Sequence, residues 1–472
     1  MEKNIMREDV IEKLLSEMDY YTLDKENTKS ALKYLKEMLK GISSKSEEYG
    51  ITVAYRNYRL KELNSFLNKI LKNINSENSL TYNEMHDIAA ARLTVLTLSD
   101  VYRVKELIES REDIKVIQEK DYIMNPKDSG YRSLHMIIEV PVETEYGVKY
   151  VKSEIQLRTI LEDIYATLEW IIRYKGNYSK DNENANKDVY EASKKLNDLS
   201  GFLSINDFFL DISLRDIKNT KKEVSDVQLA QFRTAFEKLS GGYENKLDYF
   251  DATLTNIIGG FDNRYNILHK ESRIKPVESI VRKANEKGLS CTSDDIKYRI
   301  NDVIGFKLVC IDLDAARSLV DIVKEGIEKT EFFSVVKTCD HFDKAKPGGY
   351  RGYKISVEYN NPLEGKPIRF EILIRTLFMD AWAEWHNIVF KNPEAKNKYF
   401  KVFSDLSEEF YKKEAELTEI RKKLSEEEDT KIDLVNALYN YKNNVNNNQK
   451  PNTKAIKLSF ENKPEIKKNE EE

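Results

Sequence analysis

The chain repeats itself, and the repeat limits its fold more than any other feature. "YRLKELNSFLNKI" (Tyr58 to Ile70) aligns without a gap on "SRIKPVESIVRKA" (Ser272 to Ala284), setting Arg59 on Arg273, Lys61 on Lys275, Ser65 on Ser279 and Lys69 on Lys283. "HDIAAARLTVLTL" falls on "NDVIGFKLVCIDL", with Asp87 on Asp302 and Arg92 on Lys307. The turn "NPKDSGYRSLH" falls on "KAKPGGYRGYK", pairing Lys127 with Lys346, Tyr131 with Tyr350, Arg132 with Arg351 and His135 with Lys354. "SEIQLRT" falls on "FEILIRT", with Glu154 on Glu371 and Arg158 on Arg375. The blocks keep their order at offsets of 214 to 219 residues. Conserved order over that distance points to two copies of one domain.

At 472 residues the chain is also too long for a single core. The expected division is a first copy over residues 1–180, a helical linker over 181–235, a diverged second copy over 236–425, and a helix end with a disordered polar tail over 426–472. "KGNYSKDNENANKD" (Lys175 to Asp188) and the Asn/Lys/Glu-rich stretch from Asn443 to Glu472 read as poorly ordered. "YEASKKLNDLSGFLSINDFFLDI" reads as helices that pack on the first copy or join the two.

Within each copy the pattern is mixed. "AARLTVLTL" is an apolar, β-branched run, expected as a buried strand, and Ser99 is expected to cap a helix carrying Val101, Val104, Leu107 and Ile108 on one face. "YRSLHMIIEVPV" and "YVKSEIQLRT" read as further strands, and "ILEDIYATLEWIIRYK" as a helix. The order suits an α+β fold: a mixed sheet with helices packed on it.

Alternation along "SEIQLRT" puts Glu154, Gln156 and Arg158 on one face, spaced about 7 Å apart, and Ile155 and Leu157 on the other. Such a face is ordinarily solvated, but it returns as Glu371, Leu373 and Arg375. Asp87 alone reads as a turn or cap residue; paired in space with Glu154 it can hold Mg²⁺. Lys127 before Gly130-Tyr131-Arg132 places cations beside a permissive turn and a flat aromatic, a group suited to a nucleotide.

The net charge of −5 gives no global pull toward nucleic acid. Three cysteines (Cys291, Cys310, Cys339) are too few and scattered for a disulfide framework and suit a reducing cytoplasm. The charged start and the lack of any apolar run of about 18 residues give no signal core and no membrane span. The five histidines have no ligand spacing, and neither a Gly-x-x-x-x-Gly-Lys phosphate loop nor a Gly-x-Ser-x-Gly elbow occurs.

Together, "RLKELNSFLNK", "DIAAARL", "SREDIKVIQEKDYIMNPKDSGYRSLHMIIEVPV" and "SEIQLRT" resemble the synthetase domain of the RelA/SpoT family, especially its small single-domain members. The resemblance covers about Ser46 to Lys175, with a looser match from about Tyr249 to Lys391. It implies a nucleotidyltransferase-like fold and transfer of pyrophosphate from ATP to the 3′-hydroxyl of GDP or GTP, with Mg²⁺. Carried over, Asp87 and Glu154 hold the metal, with Glu154 alternatively taking the hydroxyl's proton, and Tyr131 stacks on guanine. Arg59, Lys61, Ser65, Lys69, Arg92, Lys120 and Lys127 bind phosphates, with Arg132, His135, Gln156 and Arg158 in support. The second copy offers Asp302 and Glu371 for metal and Arg273, Lys275, Lys346, Tyr350, Arg351 and Arg375 for nucleotide.

The first copy departs from the family at "ELNS", Tyr165 and Trp170, which suggests altered rate or acceptor choice. The second has Cys339 for Lys120, His341 for Tyr122, Lys354 for His135 and Leu373 for Gln156, so it is expected to bind nucleotide or regulate rather than turn over. The residues before Ser46 are too few for a His-Asp hydrolase segment, which implies synthesis without hydrolysis. Two other readings are a toxin-type relative that pyrophosphorylates the tRNA 3′ end, for which the local lysines are few, and a non-catalytic nucleotide sensor. Finally, Leu406, Phe410, Leu417, Ile420 and Leu424 form a helical stripe, suited either to a core or to self-association.

Overall fold

The computed structural model describes residues 8–74, 80–174, 187–217, 226–259, 267–289, 299–300, 302–361, 367–390, 393–425, 435–436 and 438–439. Most of the stretch from Lys175 to Asp188, the whole tail from Asn443 and the thiol of Cys291 lie outside the described residues. The chain divides into two compact units, Met1–Asp163 with Glu427–Glu472, and Ile164–Glu426.

The first unit holds α1 (Glu8–Leu23), α2 (Lys25–Ser44), β1 (Val53–Leu60), α3 (Leu63–Lys72), β2 (Ala89–Val95), α4 (Leu98–Glu109), β3 (Lys115–Asp121), β4 (Leu134–Thr144), β5 (Gly147–Thr159) and the start of α5 (Ile160–Glu169). Its sheet runs β1-β2-β5-β4-β3. β2 and β5 are parallel, and every other neighbouring pair is antiparallel. Ala31, Leu35, Met38, Leu39 and Ile42 recur at helical spacing on α2 and pack with Val101, Val104 and Ile108 of α4 on one sheet face. That face is built from Ala89, Ala91 and Leu93 of β2, Leu134, Met136 and Ile138 of β4, and Ile155 and Leu157 of β5. The two-residue period therefore turns Arg92, His135, Glu154, Gln156 and Arg158 to the opposite face.

The second unit repeats the plan. α6 (Lys187–Ile217) and α7 (Asp226–Ile258) precede β6 (Ile267–Ile274), α8 (Val277–Glu286), β7 (Ile304–Cys310), α9 (Leu313–Glu328), β8 (Phe333–Asp340), β9 (Tyr353–Tyr359) and β10 (Ile368–Thr376). α10 (Leu377–Val389) and α11 (Pro393–Ser425) follow. The sheet order is β6-β7-β10-β9-β8, again with a parallel central pair, β7 and β10. Phe250 and Leu254 of α7 and Leu319 and Val323 of α9 cover its apolar face, so α7 does here what α2 does in the first unit. Each unit is thus an α+β fold with a mixed five-stranded sheet flanked by helices.

Two local expectations change, and for a third one of the two readings holds. Thr97, not Ser99, caps α4, because its side chain accepts from the Asp100 backbone N–H. The segment from Tyr190 to Ile212 is one helix, α6, lying in the second unit and packed on α11. The stripe on α11 is core: Leu406, Phe410, Leu417 and Ile420 are all buried. No helix among the described residues is long and apolar enough to cross a membrane.

Candidate active site

The glycine turn behind Lys127 is built the same way in both units. Gly130 N–H donates to Lys127 O at 2.7 Å and Lys127 N–H to Tyr131 O at 3.2 Å; Gly349 and Lys346 repeat this at 2.8 and 2.9 Å. Gly130 (φ 85°) and Gly349 (φ 99°) occupy the left-handed region, which a Cβ disfavours. At Gly349 a Cβ would also stand 2.9 Å from the Ser407 side chain. Arg132 and Arg351 clip the turns from behind, donating to the carbonyls of Ile123 and Phe342 at 2.7 Å. Arg351 adds the Asp343 carbonyl and Glu408. Both were expected among the nucleotide ligands, and these bonds place them at the back of the loop.

In the first unit the turn delivers Tyr131 to the sheet, where five side chains close a ring of hydrogen bonds. His135 Nδ1 lies 3.1 Å from Glu154 Oε1, and His135 Nε2 lies 2.9 Å from the Tyr131 hydroxyl. Arg158 Nη2 donates to that hydroxyl and, at 2.8 Å, to Gln156 Oε1. Gln156 Nε2 returns to Glu154 Oε2 at 2.7 Å. Strand pairing sets this up, because His135 faces Gln156 across β4 and β5.

The ring assigns its own protons. Burial alone would raise the Glu154 carboxyl, but hydrogen bonds from His135 and Gln156 hold it ionised at about 2. Burial pushes His135 below its ordinary value. A neutral imidazole facing a carboxylate carries its proton on Nδ1, so Nε2 accepts from Tyr131, whose oxygen in turn accepts from Arg158. Arg158 also donates to Ser133 and to Asp163 at 3.1 Å, so this arginine and Gln156 shape the site from within it.

Asp87 stands just before β2, clamped by Lys61 at 2.8 Å, Lys69 at 3.0 Å and Arg59 at 3.5 Å. Burial acts to raise its carboxyl, and Lys61 and Lys69 overcome this, leaving it at about 2. Asp87 and Glu154 sense each other's charge, since Asp87 acts on Glu154 to raise it. Arg92 extends from β2 to Asp163 at 2.8 Å. Lys127 Nζ sits over Tyr122 and Tyr131, 4.6 and 4.7 Å from the ring centroids. Tyr131 itself is only 9% exposed. Lys120 is exposed on β3 opposite His135, and Ser65 is exposed in the first turn of α3.

Sequence reasoning missed Asp163, which ties Arg92 and Arg158 together, and Lys152, whose charge with those of Lys120 and Lys69 depresses His86 beside Asp87 after burial. Alternation could have found Lys152, which lies one step before Glu154 on the same face. Nothing in the spacing announces Asp163. Of the departures, Tyr165 is buried and Trp170 is 36% exposed in a π-helical turn.

The second unit keeps the clamp and breaks the ring. Lys275 and Lys283 both hold Asp302 Oδ2 at 2.6 Å. Arg375 Nη2 reaches the Tyr350 hydroxyl at 3.4 Å and Nη1 reaches Asp380 at 2.8 Å. Leu373 has no amide to pass on, and Glu371, expected to hold a metal, is paired with Lys354. Lys307 is surrounded by Glu271, Asp380 and Glu384, each at 3.1 Å. Lys346 lies 5.2 Å above the Tyr350 ring, and Arg273 is exposed.

A family model described as "Region found in RelA / SpoT proteins" matches residues 58–179 and again 272–395. GTP pyrophosphokinase YwaC of Bacillus subtilis is 40% identical over 141 residues, 28% of this chain and 66% of the relative. GTP pyrophosphokinase YjbM of the same organism is 34% identical over 152 residues, 31% of this chain and 70% of the relative. Among solved structures, small alarmone synthetase 2 of B. subtilis aligns at 34% identity and a TM-score of 0.33, over 41% of this chain and 95% of its own. Small alarmone synthetase 1 bound to its product pppGpp aligns at 25% and 0.36, over 42% and 99%.

Proposed function

The chain belongs to the RelA/SpoT family, and on that premise we propose that its first copy transfers pyrophosphate from ATP to the 3′-hydroxyl of GDP or GTP, making ppGpp or pppGpp. One observation carries the reading: an ionised Glu154, fixed on both oxygens, beside a lysine-clamped Asp87 and a Gly-Tyr-Arg turn with Lys127 on its ring.

The residues suit a divalent ion. Two ionised carboxylates that sense each other match Mg²⁺, which takes one or two protein carboxylates and fills its shell with phosphate oxygens and water. When bound there, the ion supplies charge neutralisation at the phosphates.

The chain's own residues do the rest. Arg59, Lys61, Lys69 and Arg92 face the triphosphate as a cationic wall, and phosphate oxygens exchange places with Asp87 as partners of the lysines. A guanine stacking on Tyr131 replaces the Lys127 ammonium, which moves onto the acceptor's phosphates. The attacking 3′ oxygen bonds to the β phosphorus of ATP, the bond from that phosphorus to the α–β bridging oxygen breaks, and AMP leaves. The hydroxyl's proton goes to Glu154. A carboxyl held at about 2 is a weak base, and phosphates brought beside it raise its proton affinity. His135 and Gln156 fix the angle of attack, because neither Glu154 oxygen can rotate without losing a hydrogen bond.

The test is direct. Purified protein with ATP, Mg²⁺ and GDP or GTP should yield 3′-pyrophosphorylated guanosine nucleotides and AMP. A folded preparation that gives none sinks the reading, and label passing to tRNA instead redirects it to the toxin-type activity.

A further inference from the structure

We infer that the second copy binds a nucleoside polyphosphate without a divalent ion, the ammonium of Lys354 on Glu371 supplying the charge that the first copy takes from a metal. This rests on the reading that the Gly-Tyr-Arg turn and its cations form a nucleotide site.

The two copies match residue for residue at this point. His135 faces Gln156 in the first sheet, and Lys354 faces Leu373 at the same register in the second. In the first copy an imidazole, not a lysine ammonium, stands on Glu154. An ammonium on Glu371 cancels the carboxylate's charge within the protein. Asp302 is then the remaining carboxylate, with Lys275 and Lys283 both on its Oδ2. Among the described residues its Oδ1 has no hydrogen-bond partner, but one oxygen beneath two ammonium groups makes a thin divalent site. The residues of the second copy therefore do not fit the metal that those of the first copy fit.

Phosphate binding survives this change. The Lys354 ammonium carries three donors, so it can reach a phosphate oxygen while it stays on Glu371, and Lys346 and Arg375 flank the Tyr350 ring at 5.2 and 5.3 Å. The other half of the site is poorer. Lys307 lies among three carboxylates where Arg92 meets Asp163, so a second polyphosphate approaching there faces Glu271 and Glu384. One nucleotide fits and two do not, so transfer is lost while binding remains.

The experiment uses the full chain, with GTP as probe and with equilibrium dialysis in EDTA and in Mg²⁺. In EDTA the wild type should bind one GTP per chain, and Lys354→Met should weaken this at least about tenfold, the loss of one charge-assisted contact. Lys354→His, which writes in the first copy's residue, should lose EDTA binding and regain it with Mg²⁺. A Mn²⁺ titration should count one more divalent ion in Lys354→His than in the wild type. Thermal melts confirm that each variant folds. EDTA binding that is absent, or unchanged by Lys354→Met, overturns the inference, as does an equal Mn²⁺ count. Product assays on the same samples separate the readings: product without metal-free binding sinks this inference alone, and metal-free binding without product sinks the synthetase.

Discussion

The two copies share a sheet, a turn and a lysine clamp, and they differ in whether the polar face is wired as a loop. In the first copy Glu154, His135, Tyr131, Arg158 and Gln156 bond in a closed circuit, so each side chain is held by two others. In the second, Leu373 opens the circuit and Lys354 converts a hydrogen-bonded carboxylate into an ion pair. The scaffold tolerates either arrangement because the main core of each sheet lies on its opposite, apolar face. Chemistry is less tolerant, since a reacting carboxylate must be both charged and aimed.

The comparison breaks first at the carboxylates. Glu154→Gln should lower product formation by about 10³-fold or more, the scale of a lost base and charge partner. Glu371→Gln should cost no more than about tenfold, and equal losses in the two would refute the asymmetry. Next, writing the second copy into the first with His135→Lys and Gln156→Leu should cost about 10²-fold in kcat with a smaller change in KM, read by initial rates. A loss confined to KM would mean the circuit serves binding only.

Stability sharpens the contrast further. Burial lifts Glu162 of the first unit to about 7 and Glu414 of the second to about 8. A carboxyl raised in the folded state keeps its proton where the unfolded chain has lost it. Stability therefore falls as pH rises from the ordinary carboxylate value to the folded one, and levels off above it. From pH 6 to pH 8 the Glu414 contribution should decline by about 2 kcal/mol, with the loss continuing past pH 7 in the second unit after it has levelled in the first. Thermal melts across that range test this, and Glu414→Gln should flatten the second unit's profile. The smallest effect is at the caps: Thr97→Ala should cost about 1 kcal/mol, and Asp312→Ala somewhat more, because Asp312 also pairs with Arg421.

Alternation and repetition made much of this legible. Glu154, Gln156 and Arg158 share a face because a strand has a period of two, and the recurrence at Glu371 marked that face as more than solvated surface. The circuit was not legible. It needs Tyr131 from a turn to meet β4 and β5, and no one-dimensional spacing encodes that meeting. Asp163 escaped in part for the same reason, since Arg92, one of its two partners, lies 71 residues away. Thr97 displaced Ser99 as cap because β2 ends three residues earlier than the apolar run.

In each sheet the last strand made is a middle strand: β5 slots between β2 and β4, and β10 between β7 and β9. A nascent chain can fold β1 with β2 and can pair β3 with β4, yet these remain two separate ribbons. The final strand joins them, and it also carries Glu154. A ribosome stalled before Gly147 would hold two unjoined ribbons and no Glu154, and completion of one strand would supply the sheet and that carboxylate together.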